Sequence, residues 1–364
     1  LVGISKVGQS GHFEKGVTVG LLPNQIDDFV SLTLPNIKRT TWTDLAHEYT
    51  EYVFAQIVKE KLVIEEGGPH IEFQIKTRNT QNARNASGFY DVDQLGVDDV
   101  MAKGTVPWSM QTTGFVYDIY EDVFQTTRET IIRMLKLREH QALSDMAELN
   151  EENLWSAPTG PTDQRPMGIP FWMQKNTTNL EGDFLGGNPA GFTNGAAGVS
   201  STTLPRWRNW TFGYSQVNSG DLIRKIKRSM VKTSFRAPIP HPETGYGESK
   251  YKMYTTYRVI EPLERLAESR NDNLGKDVAK YMNQVVVGGV GLQYVPYLEE
   301  NDSSDPIYGI NWKVMRPYSK KGANMRRSPP KQAPNQRNVR QVHIDNFMNF
   351  CCVNRRLCFV GSRA

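Results

Sequence analysis

Between Arg78 and Pro107 the chain reads RNTQNARNASGFYDVDQLGVDDVMAKGTVP, a polar stretch rich in Asn, Gly and Asp with no long apolar run. It is flanked by LVIEEGGPHIEFQIKT (62–77) and WSMQTTGFVYDIYEDVF (108–124). In the first flank Ile71, Phe73 and Ile75 alternate with Glu72, Gln74 and Lys76; in the second, Phe115, Tyr117 and Ile119 alternate with Val116, Asp118 and Tyr120. A period of two is that of a strand. Two such runs in succession predict an antiparallel pair, with the polar stretch as the tip of a very long hairpin. A compact domain rarely carries ~20 structureless residues unless they are functional. The loop therefore asks for a partner outside its own domain.

Downstream lies the clearest helix, TTRETIIRMLKLREHQALSDMAELNEENLW (126–155). Thr126 and Glu129 fit a capping box, in which hydroxyl and carboxylate satisfy free backbone N–H groups. Ile131, Leu135, Ala142, Met146 and Leu149 trace an inward stripe, and Glu129 stands at the favourable four-residue spacing from Arg133. Ala157-Pro158 ends the helix, because the residue before proline resists helical dihedrals. At about 1.5 Å per residue it spans roughly 40 Å, enough to be the backbone of a domain.

The remaining elements are shorter. Residues 1 to about 40 read as an extended arm. A short helix follows, capped by Thr43, with Leu45, Tyr49, Tyr52, Val53 and Gln56 on one face and an end near Lys61. Residues 158–205 read as loops. A second helix begins at Ser219 or Asp221, with Leu222, Ile223, Ile226 and Met230 on its apolar side and Arg224, Lys225, Lys227, Arg228 and Lys232 crowding the other. YKMYTTYRVI reads as a strand, Pro262 as the first residue of a helix with Leu263, Leu266 and Ala267 inward, and roughly Gly275–Asn283 as another short helix. VVVGGVGLQYV and PIYGINWKVM read as strands of a mixed sheet, and FMNFCCVNRRLCFVGS as two short buried strands. The pattern is α+β, without internal repeats or heptads.

At 364 residues, 38% hydrophobic and 23% charged, the chain holds enough apolar residues for a core, but on the lean side. No run of ~18 apolar residues exists, so no membrane span is expected, and no secretory segment is expected at the front. The net charge of +4 is unevenly placed: from Asp305 to Asp345 there is no acidic residue, while Lys313, Arg316, Lys320, Lys321, Arg326, Arg327, Lys331, Arg337 and Arg340 fall between them. This segment reads either as a solvated basic loop or as a surface facing a polyanion. The basic helix at 221–232 has the same two readings and a third, a membrane-surface helix, which lacks an anchoring aromatic. Cys351, Cys352 and Cys358 read as free thiols and small buried hydrophobes.

No catalytic site emerges. His47-Glu48 opens like a zinc-protease helix, but Glu51 stands where the second His belongs. GGVGLQ lacks the third glycine of a dinucleotide fingerprint, no phosphate-binding GK[ST] loop exists, and Ser249 in GYGES lacks the flanking glycine of a nucleophile elbow. The three cysteines and His343 lack zinc-ligand spacing. Neither an enzymatic activity nor a cofactor is expected.

The order of arm, long two-stranded excursion, long helix and α+β remainder resembles the major capsid protein of tailed bacteriophages, with the Hong Kong 97-type fold. The phrases PRWRNW (205–210) and DPIYGINW (305–312) are similar to those of siphophage capsid proteins. The resemblance implies an N-terminal arm and short helix over 1–61, an extended loop over 62–120 and a peripheral domain with its spine helix over 121–167. It further implies an axial domain with part of the peripheral-domain sheet over 168–346, and a C-terminal strand of the peripheral domain over 347–364. It implies self-assembly into hexamers and pentamers of an icosahedral shell around double-stranded phage DNA, held without sequence preference. Portal and scaffold proteins are the implied partners, a decoration protein an optional one, and the virion, assembled in the host cytoplasm, the implied location. Within the extended loop, Arg78, Arg84, Phe89, Tyr90, Lys103 and Trp108 would contact neighbouring subunits. Arg224, Lys225, Lys227 and Arg228 would form a basic face, luminal or intersubunit. An encapsulin-like compartment is the rival reading within this fold, and a nucleic-acid-binding protein the rival outside it, though no reader motif is present.

Overall fold

The structure is a computed structural model and describes residues 52–77, 82, 85, 96, 100–118, 120, 128–234, 251–268 and 285–364, with residues 128–133, 135, 267 and 268 described by their backbone alone. The arm, most of the hairpin tip, the capping pair at 126 and 129, the side chains of Ile131 and Leu135, and the helix expected over 275–283 lie outside the described residues.

In chain order the elements are α1 (Val53–Lys61), β1 (Val63–Glu65), β2 (His70–Lys76), β3 (Met101–Pro107), β4 (Ser109–Asp118), α2 (Arg128–Trp155), α3 (Ile169–Trp172), β5 (Asp183–Gly186), β6 (Asn209–Tyr214), a π-helical turn (Ser219–Ile223) and α4 (Arg224–Thr233). There follow β7 (Tyr251–Thr255), α5 (Tyr257–Glu268), β8 (Val286–Val287), β9 (Val290–Tyr294), α6 (Pro296–Asn301), β10 (Ile307–Asn311), β11 (Met315–Lys320), β12 (Arg326–Arg327), β13 (Lys331–Gln332), β14 (Val339–Cys352), a 3₁₀ turn (Arg355–Leu357) and β15 (Phe359–Arg363). The chain divides into two compact units. Among the described residues the larger holds 52–113, 144–326 and 344–364, and the smaller holds the rest of 114–143 and 327–343.

A seven-stranded mixed sheet in the order β5-β6-β15-β10-β7-β9-β8 forms the frame of the larger unit. β15 runs parallel to β6 and antiparallel to β10. The last strand, β15, is the join between β6 and β10. Its packing explains why two glycines are needed. Gly309 faces Phe359 across the β10–β15 pair, and Gly361 faces Phe212 across β15–β6. A Cβ at Gly309 would meet the Phe359 ring at 2.1 Å, and one at Gly361 would meet the Phe212 ring at 2.3 Å. Each ring lies flat over the backbone of the next strand, which only a residue without a side chain allows.

The hairpin differs from its expected pairing. β2 pairs with β3, from His70 opposite Pro107 to Lys76 opposite Met101, rather than with the run around Phe115. That run belongs to β4, which pairs with β14. The returning strand thus lies inside the stretch expected to be loop. Ile71 and Val106 are buried, and the Phe73 ring covers Gly104, where a Cβ would meet it at 2.5 Å. The Thr105 N–H donates to Ala197 O at 3.0 Å. The hairpin root is therefore fixed to its own unit.

α2 spans 28 residues, close to its expected bounds. Ala142 and Met146 are buried as the stripe predicts, but Leu149 is 38% exposed, and the buried face turns onto Asn150, Glu151, Asn153 and Leu154. Glu151 explains the polar burial. Its carboxylate accepts Trp155 Nε1–H at 2.8 Å and the Phe54 N–H at 2.7 Å. Phe54 is the second residue of α1, whose N-cap residue Tyr52 makes no side-chain cap. A carboxylate from another helix thus does the capping, favoured by the positive end of the helix dipole.

Three further expectations change. The helix around Pro262 begins earlier, at Tyr257: Thr256 O accepts the N–H groups of Val259 and Ile260, and Pro262 sits inside the helix. The basic segment after Asp305 is not a loop but carries β10 to β13 and the start of β14. FMNFCC is the end of a 14-residue strand rather than a short one. In the smaller unit, Arg138 donates to Val116 O at 3.0 Å, Arg327 pairs with Glu139, and Ser328 N–H bonds His343 O at 2.8 Å.

Arg355 is the most unusual buried group, fully enclosed in the larger unit. Its guanidinium donates to Trp172 O at 2.6 Å, Gly187 O at 2.9 Å, Asn209 Oδ1 at 3.2 Å and Trp207 O at 3.3 Å. Burial lowers its pKa to about 10.

Two variants test this description. Met146→Asp would place an unpaired charge in the core and should cost on the order of 4 kcal/mol, read as loss of soluble protein; a soluble, cooperatively folding variant would place the stripe elsewhere. Arg355→Lys keeps the charge but loses the planar fork. It should cost roughly 3 kcal/mol through stranded carbonyls, measured as a lowered denaturation midpoint, and an unchanged midpoint would contradict the role given to these four bonds.

Candidate functional site

Two surfaces carry the residues singled out in the sequence. The first is the hairpin. Arg78, Arg84, Phe89 and Tyr90 lie outside the described residues. Lys103 is exposed on β3 and pairs with Glu72 of β2 at 2.7 Å. Trp108 is half-buried at the base, with Nε1–H donating to Gly68 O at 3.2 Å. Both have partners in their own hairpin. An exposed cross-strand ion pair adds little stability.

The second is the basic helix. Asn218 caps the π-helical turn by accepting the Asp221 N–H at 2.7 Å. Asp221 accepts the N–H groups of Ser215 and Gln216 and pairs with Lys225 at 2.5 Å. Lys225 was expected on the exposed basic face, but it is buried, and its ammonium also donates to Gly213 O at 2.8 Å. A lysine can bury its stem and charge where an acid and a carbonyl meet it. Arg224 and Arg228 converge on Glu181, at 2.5 and 3.0 Å. Arg224 beside Glu181 holds that carboxyl below its ordinary range. Lys227 and Lys232 are exposed. Sequence reasoning missed Glu181, which reaches the helix from 43 residues upstream and sits in an irregular loop with no period to mark it.

Nothing among the described residues suggests chemistry. No group of three or more His, Cys, Asp or Glu side chains could hold a metal. The cysteines are free and buried, and burial pushes the Cys351 thiol well up. No described helix is long and apolar enough to cross a membrane. A cleft of about 330 Å³ in the larger unit is lined by Ser109, Gln111, Leu149, Asp163, Arg165 and Tyr297. There, hydrogen bonds from Arg165 hold the Asp163 carboxyl far below its usual range, an arrangement that removes a base rather than providing one.

No family model and no curated protein matches the sequence. Solved structures do match the fold. The capsid asymmetric unit of cyanophage A-1(L) superposes with a TM-score of 0.59 at 15% identity, covering 91% of this chain and 98% of that one. The capsid of Myoviridae phage XM1 superposes with a TM-score of 0.51 at 9% identity, covering 96% and 100%. Likeness over the full length of both partners, at identities this low, is a likeness of fold. The chain has the Hong Kong 97-type fold of tailed-phage capsid proteins.

Proposed function

We propose that the chain is a major capsid protein whose copies form hexamers and pentamers of an icosahedral shell around double-stranded DNA. The observation that carries this reading is the end-to-end likeness to a capsid subunit, 91% of this chain against 98% of the cyanophage protein. The excursion at the hairpin supports it. Its root is built into the larger unit, and its outer part is long and polar. On this reading α2 is the spine of a peripheral domain, the seven-stranded sheet belongs to the axial domain, and the outer hairpin reaches a neighbouring copy. Portal and scaffold proteins are the further partners, with a decoration protein optional. Electron microscopy of the purified chain under assembly conditions tests the proposal: closed shells of uniform size are expected, and a stable monomer under every condition would refute it.

The Thr77 N–H donates to Val100 O at 2.8 Å and closes the described ladder. Replacing residues 78–99 by a two-residue turn should therefore leave the unfolding temperature unchanged while abolishing shells. Stable particles from the shortened chain would show that the excursion does not tie subunits together.

The basic helix is proposed as luminal rather than intersubunit. Lys225 is unsuitable for testing this, because its reversal would strike the fold. Lys227→Glu with Lys232→Glu alters exposed charge alone. Empty shells should form at undiminished yield if the face is luminal; loss of assembly without DNA would assign these lysines to a protein contact.

A further inference from the structure

PRWRNW places two arginines around a tryptophan, and the proposed shell contacts leave them unused. Trp207 is buried, Arg206 is exposed, and Arg208 is half-buried with Nε–H donating to Ser201 O at 3.2 Å. The 3₁₀ turn that carries Arg355 is held against this segment by the bonds from Arg355 to Trp207 O and Asn209 Oδ1. The next residue, Arg356, is thereby fixed over the Phe184 ring, 3.7 Å from guanidinium carbon to ring centre. Phe184 in turn stands edge-on to buried Trp210 with ring centres 5.0 Å apart. The cation rests on a rigid aromatic platform, which favours an arginine thermodynamically and fixes its direction.

The electrostatics run against this arrangement unless something anionic covers it. Burial, and next the charge of Arg206, push the Arg356 pKa down, while Asp183 acts the other way. The Asp183 carboxylate is partly committed, accepting the Phe184 N–H at 2.7 Å. Among the described residues neither Arg206 nor Arg356 has a side-chain hydrogen bond or an ion pair. Arg356 lies beside both Arg206 and Asp183, while Arg224 and Arg228 pair with Glu181, two residues before Asp183. Cations outnumber carboxylates there, in a chain whose whole net charge is +4. One carboxylate from a protein partner would be saturated by a single guanidinium fork. A series of arginines around one segment suits an anion that repeats, and a duplex presents one charge per ~1.7 Å of axis.

We infer that Arg356, set on Phe184, and the neighbouring Arg206 form a contact site for the phosphodiester backbone of double-stranded nucleic acid. The site takes phosphate oxygens, not base edges, so it is indifferent to sequence. The identification of that nucleic acid with an enclosed genome rests on the shell reading; the binding itself does not.

The test uses the unassembled 364-residue chain and a fluorescein-labelled 30-base-pair duplex, titrated by anisotropy from about 50 to 200 mM NaCl, a range over which phosphate contacts dominate affinity. Arg206→Gln with Arg356→Gln should weaken binding equally on two unrelated sequences and reduce the slope of log affinity against log salt by about 2, near one per lost phosphate contact. Arg265→Gln, which removes an exposed arginine already paired with Glu261, should leave the slope unchanged. Unfolding temperatures of all variants check that the fold persists. An unchanged slope in the double variant, or no duplex binding by the parent chain, would overturn the inference. So would a double variant that binds duplex normally yet fails to form DNA-free shells, since the pair would then take a carboxylate from a second copy. The expected slope change in the double variant, together with a parent chain that never forms shells, would sink the shell reading and leave this site standing.

Discussion

The larger unit is organised around a positive charge that no carboxylate answers among the described residues. Arg355 reaches three carbonyl oxygens and one amide oxygen drawn from three separate places: the end of α3, the loop after β5, and the PRWRNW segment, whose Asn209 opens β6. Their carbonyls would be stranded in the interior without the guanidinium, and an ion pair would have demanded a second buried charge. A planar fork with five donors satisfies several acceptors in fixed directions, which a lysine or an apolar side chain cannot do. The irregular stretch between α3 and β6 is ordered because its polar groups end here.

Much of the architecture was legible in the sequence, for identifiable reasons. α2 was readable because a long 3.6-residue period averages out local exceptions such as Leu149. The alternation in β2 and in β4 was readable because one face of each strand is buried. What could not be read was partnership. The Met101–Pro107 strand contains a glycine and a proline and offers only Val106 as a fully buried apolar side chain, so it looked like loop. Its identity as a strand depends on Phe73 lying over Gly104, a tertiary fact. Pro262 misled because proline more often starts a helix than sits inside one.

The basic surface shows the same division between local and distant information. Spacing alone put Lys225 with Arg224, Lys227 and Arg228. Its burial follows from Asp221 and Gly213, one four residues away and one in the preceding strand. Glu181, Phe184 and Arg356 were invisible for a stronger reason: each acts through a residue more than 40 positions away, or across the end of a sheet. No motif announces chemistry in the sequence, and the surfaces described above are made of ordinary arginines, lysines and phenylalanines placed by the fold.

The position of β15 also has a consequence for the order of events in folding. β6 and β10 are separated by almost a hundred residues and do not pair with each other; each pairs with β15, which follows both. Until β15 enters, the sheet exists as two halves. The strands with their edges open toward the gap are β6 and β10, and open edges are templates for foreign pairing. The gap can be filled only by a strand whose Phe359 ring lies over Gly309 and whose Gly361 accepts the Phe212 ring. Closure is therefore selective, and the glycines and phenylalanines that make it tight also decide which strand is admitted.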